Sequence, residues 1–211
     1  MRRAFFALAA LTLALAGGGA ARAQTNAVSE QDKTFLKGQQ ETNLAEVSLG
    51  KVVIERTTSE TVRALATKLV SEHEQVSELN RALSAKLGVD MPEQPSAAQQ
   101  ASAEKIKALT GAAFDVAYVD AQVDGHTKSV SSAQKEISGG SHPEVKAFAT
   151  EYLPKAQMHL QHSQAARTEL ASSSGAALPR TGVGGGRLPA IGAALAALGL
   201  VVRGTGRVRR A

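Results

Sequence analysis

The chain has 211 residues, enough for one domain plus terminal segments, with 43% hydrophobic but only 3% aromatic residues and no Trp. No Cys is present, which excludes a disulfide framework and any thiolate metal site. The formal charge is +5, yet three of the basic residues lie before position 24, five lie after position 181, and all 19 acidic residues lie between. That span has 16 basic against 19 acidic residues, a net charge of −3, so nothing in its electrostatics points to nucleic acid.

Residues 1–23 carry Arg2 and Arg3, an apolar run from Ala4 to Ala16, and Ala21-Arg22-Ala23. This order predicts a secretory signal peptide cleaved before Gln24. A bundle domain is predicted over 24–171. Ser29 and Asp32 have the spacing of a helix N-cap pair, starting helix A near Glu30 and carrying it to about Arg56. Thr57 and Glu60 have capping-box spacing and open helix B, the long amphipathic stretch to Leu87. Its apolar stripe reads Val62, Leu65, Leu69, His73, Val76, Leu79, Leu83, Leu87. Gly88 ends it, and Pro92 and Pro95 forbid continuation. Ser96 and Gln99 form another box opening helix C, with a break expected at Thr110-Gly111 and the main part running from about Ala112 to Ile137. Gly139-Gly140 stops it. Ser141 and Glu144 predict a third box, and helix D runs to about Ala171 with a kink at Pro154.

Residues 172–187 read as a Ser/Gly-rich linker that contains Leu178-Pro179-Arg180-Thr181-Gly182. Residues 188–211 follow as an apolar stop (Leu188 to Val202) and a tail with Arg203, Arg207, Arg209 and Arg210. Motif, apolar stop and basic tail together resemble the LPxTG sorting signal of Gram-positive surface proteins. The resemblance implies a sortase that cuts between Thr181 and Gly182 and joins Thr181 to a cell-wall peptide. The membrane would be met only transiently, because a run of about 15 apolar residues is marginal as a permanent span.

An internal repeat links the two halves: Phe35 to Leu69 aligns without gaps on Tyr118 to Tyr152. Pairs include Phe35/Tyr118, Gln39/Gln122, Val62/Val145 and Ala66/Ala149. The expected fold is all-α, an up-down four-helix bundle built from two repeated helical hairpins. Counted from the turns near Thr58 and Ser141, Asn43, Glu46, His73, His126 and His159 fall within roughly 9 Å of bundle height. His126 and His159 lie in the apolar stripes of helices C and D. His142 reads as an exposed turn residue and His162 as partly buried.

Asn43-x-x-Glu46-Val47-x-Leu49-Gly50, Val62-x-x-Leu65-Ala66 and Glu72-His73 are followed by Tyr118-x-x-x-Gln122-x-x-x-His126, Tyr152-Leu153-Pro154 and His159-Leu160. This ordered set, from Asp32 to Arg167, resembles the secreted bacterial domain-of-unknown-function family 4142, labelled "predicted outer-membrane protein". The resemblance implies a ferritin-like fold and no established activity. Ferritin-like di-iron sites use Glu-x-x-His pairs, whereas Val70 and Ala156 stand three residues before His73 and His159 here, so a mononuclear metal or none is expected. Two functions fit. One is a wall-anchored surface module, non-catalytic and binding or stress-related, whose polar layer merely fixes helix register. The alternative is a metal-binding or redox domain that holds iron, manganese or zinc on His73, His126, His159 and Glu46, with Asn43, Glu72, Asp120 or Asp124 completing the ligand set.

Overall fold

The computed structural model describes residues 27–176. They form five α-helices and no strand: α1 Glu30–Arg56, α2 Glu60–Lys86, α3 Ala97–Lys107, α4 Gly111–Gly139 and α5 Pro143–Ala176. α1 packs chiefly on α2 and α4 chiefly on α5; α2 also meets α5, α1 meets α4, and the short α3 lies against α1 and α4. The result is a helical bundle. None of these helices is long and apolar enough to cross a membrane. The signal peptide, the sorting motif at 178–182 and the apolar stop lie outside the described residues.

Local chemistry accounts for most helix ends. Ser29 and Asp32 close a full capping box at α1, and Ser96 and Gln99 do the same at α3. Gly88 and Gly111 take positive φ (66° and 57°), a conformation that glycine adopts without a Cβ penalty, so α2 can stop and α4 can start there.

Two expected caps are wrong. Ser59, not Thr57, caps α2, because the Thr57 hydroxyl donates to Asp115 Oδ1 on α4 at 2.6 Å. The Ser141–Glu144 box does not form. The Ser141 amide donates to Asp32 Oδ1 at 2.9 Å, Glu144 pairs with Lys86 at 2.5 Å, and Pro143 begins α5. α5 also runs through Pro154 and past the expected end at Ala171. The Ser172 and Ser173 hydroxyls bond back to Thr168 O and Leu170 O, so the first part of the predicted linker is helical.

His142 is buried rather than exposed, since its amide also donates to Asp32 (3.2 Å). Asp32 thereby ties the starts of α1 and α5 together. Burial opposes its charge, but hydrogen bonds from Glu136, Ser29 and His142 hold the carboxyl well below the usual range. Leu79 points outward at 58% exposure. The buried line of α2 continues instead through Asn80 and Ser84, and Asn80 Nδ2 donates to Leu36 O at 2.9 Å.

The core falls into two apolar clusters. One gathers Leu49, Val53, Leu65, Leu69, Tyr118 and Ala166; the other gathers Phe35, Leu36, Val76, Ala133, Tyr152 and Ala156. Burying each large apolar side chain stabilises the fold by about 1.5–3 kcal/mol. On each of the four long helices, buried polar residues separate the two clusters: Gln39 to Glu46 on α1, His73 on α2, Gln122 to Ser129 on α4, and His159 with Ser163 on α5. A polar layer therefore crosses the middle of the core.

Candidate metal centre

Three imidazoles occupy this layer, each on its own helix and each buried: His73 on α2, His126 on α4 and His159 on α5. Ring centroids are 5.6 Å apart for His73–His126, 5.2 Å for His73–His159 and 5.0 Å for His126–His159. One ring nitrogen from each falls within 4.8 Å of the others. The repeat does not produce a second copy. Positions 83 residues away hold Asn43, Ala156 and Val76 where the trio has His126, His73 and His159.

Each ring has one nitrogen engaged by an acceptor. His126 Nδ1 lies 2.9 Å from the Gln122 carbonyl, which can only accept, so Nδ1 carries the proton and Nε2 is bare. His73 Nδ1 lies 2.9 Å from Asn43 Oδ1, which also accepts from Gln39 Nε2 at 3.2 Å. That leaves His73 Nε2 bare as well. His159 Nε2 donates to the Glu72 carboxylate, and its Nδ1 is buried without a hydrogen-bond partner. His73 Nε2 and His126 Nε2 face each other at 3.3 Å with no proton to share. This pattern, one nitrogen fixed by a carbonyl or carboxylate and the other free, is how metal-binding histidines are oriented.

The rings are neutral. Burial lowers His73 well below its ordinary value, and charge on His126 or His159 would lower it further. Burial, then the His159 charge, brings His126 down to about 4 against the bond to Gln122. His159 is lowered by burial, with Glu72 opposing. Glu72 itself stays ionised: burial disfavours its charge, but Lys68 at 2.5 Å and His159 outweigh that.

Glu46 is not part of the trio. Its carboxyl lies toward α4, where Oε1 would be 3.7 Å from a Cβ placed on Gly125, and Gln122 stands beside it. Burial pushes it up to about 7. Glu72, adjacent to His73 in sequence, is the carboxylate that reaches a ring, and it does so on α5. Asp120 pairs with Arg167 and Asp124 lines a cleft, so neither joins the rings. Gln39 and the Gln122 carbonyl are supporting groups that sequence reasoning passed over. Their signal was visible, as the two glutamines are partners in the repeat.

Fold and centre together define an all-helical bundle with a buried imidazole trio at mid-height. The chain belongs to the family described as Domain of unknown function (DUF4142), which matches residues 18–166. No curated protein matches it significantly. The fold is similar to that in the crystal structure of a DUF305 fragment from Deinococcus radiodurans. The TM-score is 0.61 at 14% identity, covering 68% of this chain and 99% of that one.

Proposed function

We propose that the domain binds one divalent transition ion on His73, His126 and His159, and acts as a non-catalytic metal-holding module outside the cell. The observation that supports it best is the hydrogen-bond pattern: the bare Nε2 atoms of His73 and His126 face each other, a ring nitrogen of buried His159 comes within 4.8 Å of the pair, and each ring has one nitrogen held by an acceptor. Two nitrogens on a tetrahedral ion at 2.0–2.1 Å are about 3.3 Å apart. His73 Nε2 and His126 Nε2 already have that separation, and a ring nitrogen of His159 within 4.8 Å of them would be the third ligand. An all-nitrogen set suits zinc or iron better than manganese, which favours oxygen. Glu46 serves elsewhere in this scheme, and Glu72 orients His159.

The four long helices run up and down as a ferritin-like bundle in this proposal. The order in which each helix visits the two apolar clusters supports it, since α1 and α5 run opposite to α2 and α4. Export by the signal peptide and sortase-mediated attachment at Thr181 remain part of the same proposal, supported by the sequence of residues 1–23 and 178–211. The sortase and the wall peptide would be the partners.

The full-length protein, stripped of metal, is titrated with Zn²⁺, Fe²⁺ and Mn²⁺ by calorimetry and metal analysis. One zinc per chain is expected, with His73→Ala or His126→Ala losing it and zinc raising the melting temperature of the parent only. At 100-fold excess over Kd zinc adds about 2.7 kcal/mol of stability. A protein that takes up no metal and melts identically with and without it would leave the trio as a register-fixing layer. Mass spectrometry of wall digests should show Thr181 amide-linked to peptide; a mature protein retaining Arg210 would end the sorting proposal.

A further inference from the structure

The imidazole trio is sealed from solvent, since His73, His126 and His159 are each 1% exposed or less. An ion bound there has to pass between packed helices. The three acceptors that hold the rings differ in how they meet water. Asn43 behind His73 is fully buried, and Gln122, whose carbonyl holds His126, is 2% exposed. Glu72 behind His159 is the exception, with 21% of its side chain exposed at the seam between α2 and α5. Of the three rings, His159 alone is held by a group that reaches the surface.

The chemistry at this seam suits a cation. Carboxylate oxygen is itself a ligand for zinc, alongside imidazole. Glu72 Oε2 accepts from His159, while Lys68, one turn earlier on α2 and 38% exposed, sits on Oε1 at 2.5 Å. The outer oxygen is thus covered by an ammonium. Ion pairs this close to water are weak, so an arriving cation can displace the cover. A rival approach is the cleft between α1, α3 and α4, which carries a carboxylate at Asp124. Asp124 holds none of the rings, and the groups that do hold His73 and His126 are buried.

We propose that divalent metal enters the trio between α2 and α5, captured first by the Glu72 carboxylate and slowed by Lys68. The route presupposes the metal-binding reading and adds how the site fills. Lys68 leaves as the ion arrives, because the two cations compete for one carboxylate. Glu72 already touches one of the rings that becomes a ligand, so the group that captures the ion also stands beside its destination. Coulomb's law sets the size of the effect. A unit charge about 4 Å from a divalent ion in water changes the local concentration of that ion by about tenfold or more.

The test is stopped-flow uptake of Zn²⁺ by the full-length protein stripped of metal, read with a zinc-sensitive dye, with release read in excess chelator. Glu72→Gln keeps an acceptor for His159 but no charge, and its association rate should fall about tenfold or more. Lys68→Met should raise that rate about threefold, and added salt should slow the parent far more than Glu72→Gln. Asp124→Asn, an equal change of charge at the rival cleft, should leave the rate unchanged. A residue that only orients His159 would alter release and not association, so an effect of Glu72→Gln confined to release overturns the route. Slowing by Asp124→Asn in place of Glu72→Gln overturns it too. A parent that takes up no zinc ends the metal reading and the route with it, whereas zinc uptake indifferent to both seam variants ends the route alone.

Discussion

Acid should release metal from this centre far less readily than from an exposed three-histidine site. Metal ligation requires neutral imidazole, so protons compete with the ion. An imidazole with its ordinary value of 6.5 is protonated about 30:1 at pH 5, and three such ligands would together weaken binding by about 10⁴-fold or more. His126, brought down to about 4 chiefly by burial, stays about 90% neutral at pH 5 and contributes almost no loss. His73 and His159 are shifted in the same direction by burial. Zinc affinity should therefore fall far less than that 10⁴-fold between pH 7 and pH 5, with no loss of consequence from His126. Calorimetric competition against a chelator of known proton dependence measures this directly. A loss of a thousandfold or more would mean that the rings are hydrated and protonated in solution, and the burial on which the reasoning rests would be wrong.

The remaining predictions concern the fold around the centre. Glu46 has a folded pKa raised from 4.5 to about 7, so its stabilising effect is complete below 4.5 and is lost as pH rises through 7. Glu46→Gln should therefore leave urea stability at pH 4.5 unchanged and raise it by about 3 kcal/mol at pH 8; an equal effect at both pH values would contradict the burial of an ionisable carboxyl. Gly50 allows α1 and α2 to approach, since a Cβ there would lie 2.5 Å from Val70 Cγ2. Gly50→Ala should cost about 1–3 kcal/mol despite its better helix propensity, and a neutral or stabilising result in thermal melts would show that the helices separate easily. Asp32→Ala removes the carboxylate half of the α1 capping box and the acceptor for the Ser141 and His142 amides. A loss of about 2–4 kcal/mol is expected by chemical denaturation, and one under 1 kcal/mol would mean water replaces the carboxylate.

Helix spans and their inward faces were legible because they depend on neighbours in the chain. Capping residues, breakers and a three-to-four spacing of apolar positions act within a turn or two. They placed α1, the break before Gly111, and His73, His126 and His159 on buried faces. Where a cap residue had a better partner on a distant helix, as Thr57 has in Asp115 and Ser141 has in Asp32, local spacing misled. The outward turn of Leu79 has the same origin: Asn80 is held inside by the Leu36 carbonyl on another helix.

By itself, then, the amino-acid sequence determined a repeated pair of helices, a polar stripe at mid-height on each long helix, and the three histidines within it. Only the tertiary structure decided which carboxylate meets a ring. Glu46 and Glu72 lie at similar heights, but the packing of α1 on α4 turns Glu46 toward Gln122, and that of α2 on α5 brings Glu72 to His159. Helical periodicity sets a side chain's height and angle on its own axis. Hydrogen bonding is decided within a few tenths of an ångström by how neighbouring helices rotate against each other, and that depends on every contact between them at once.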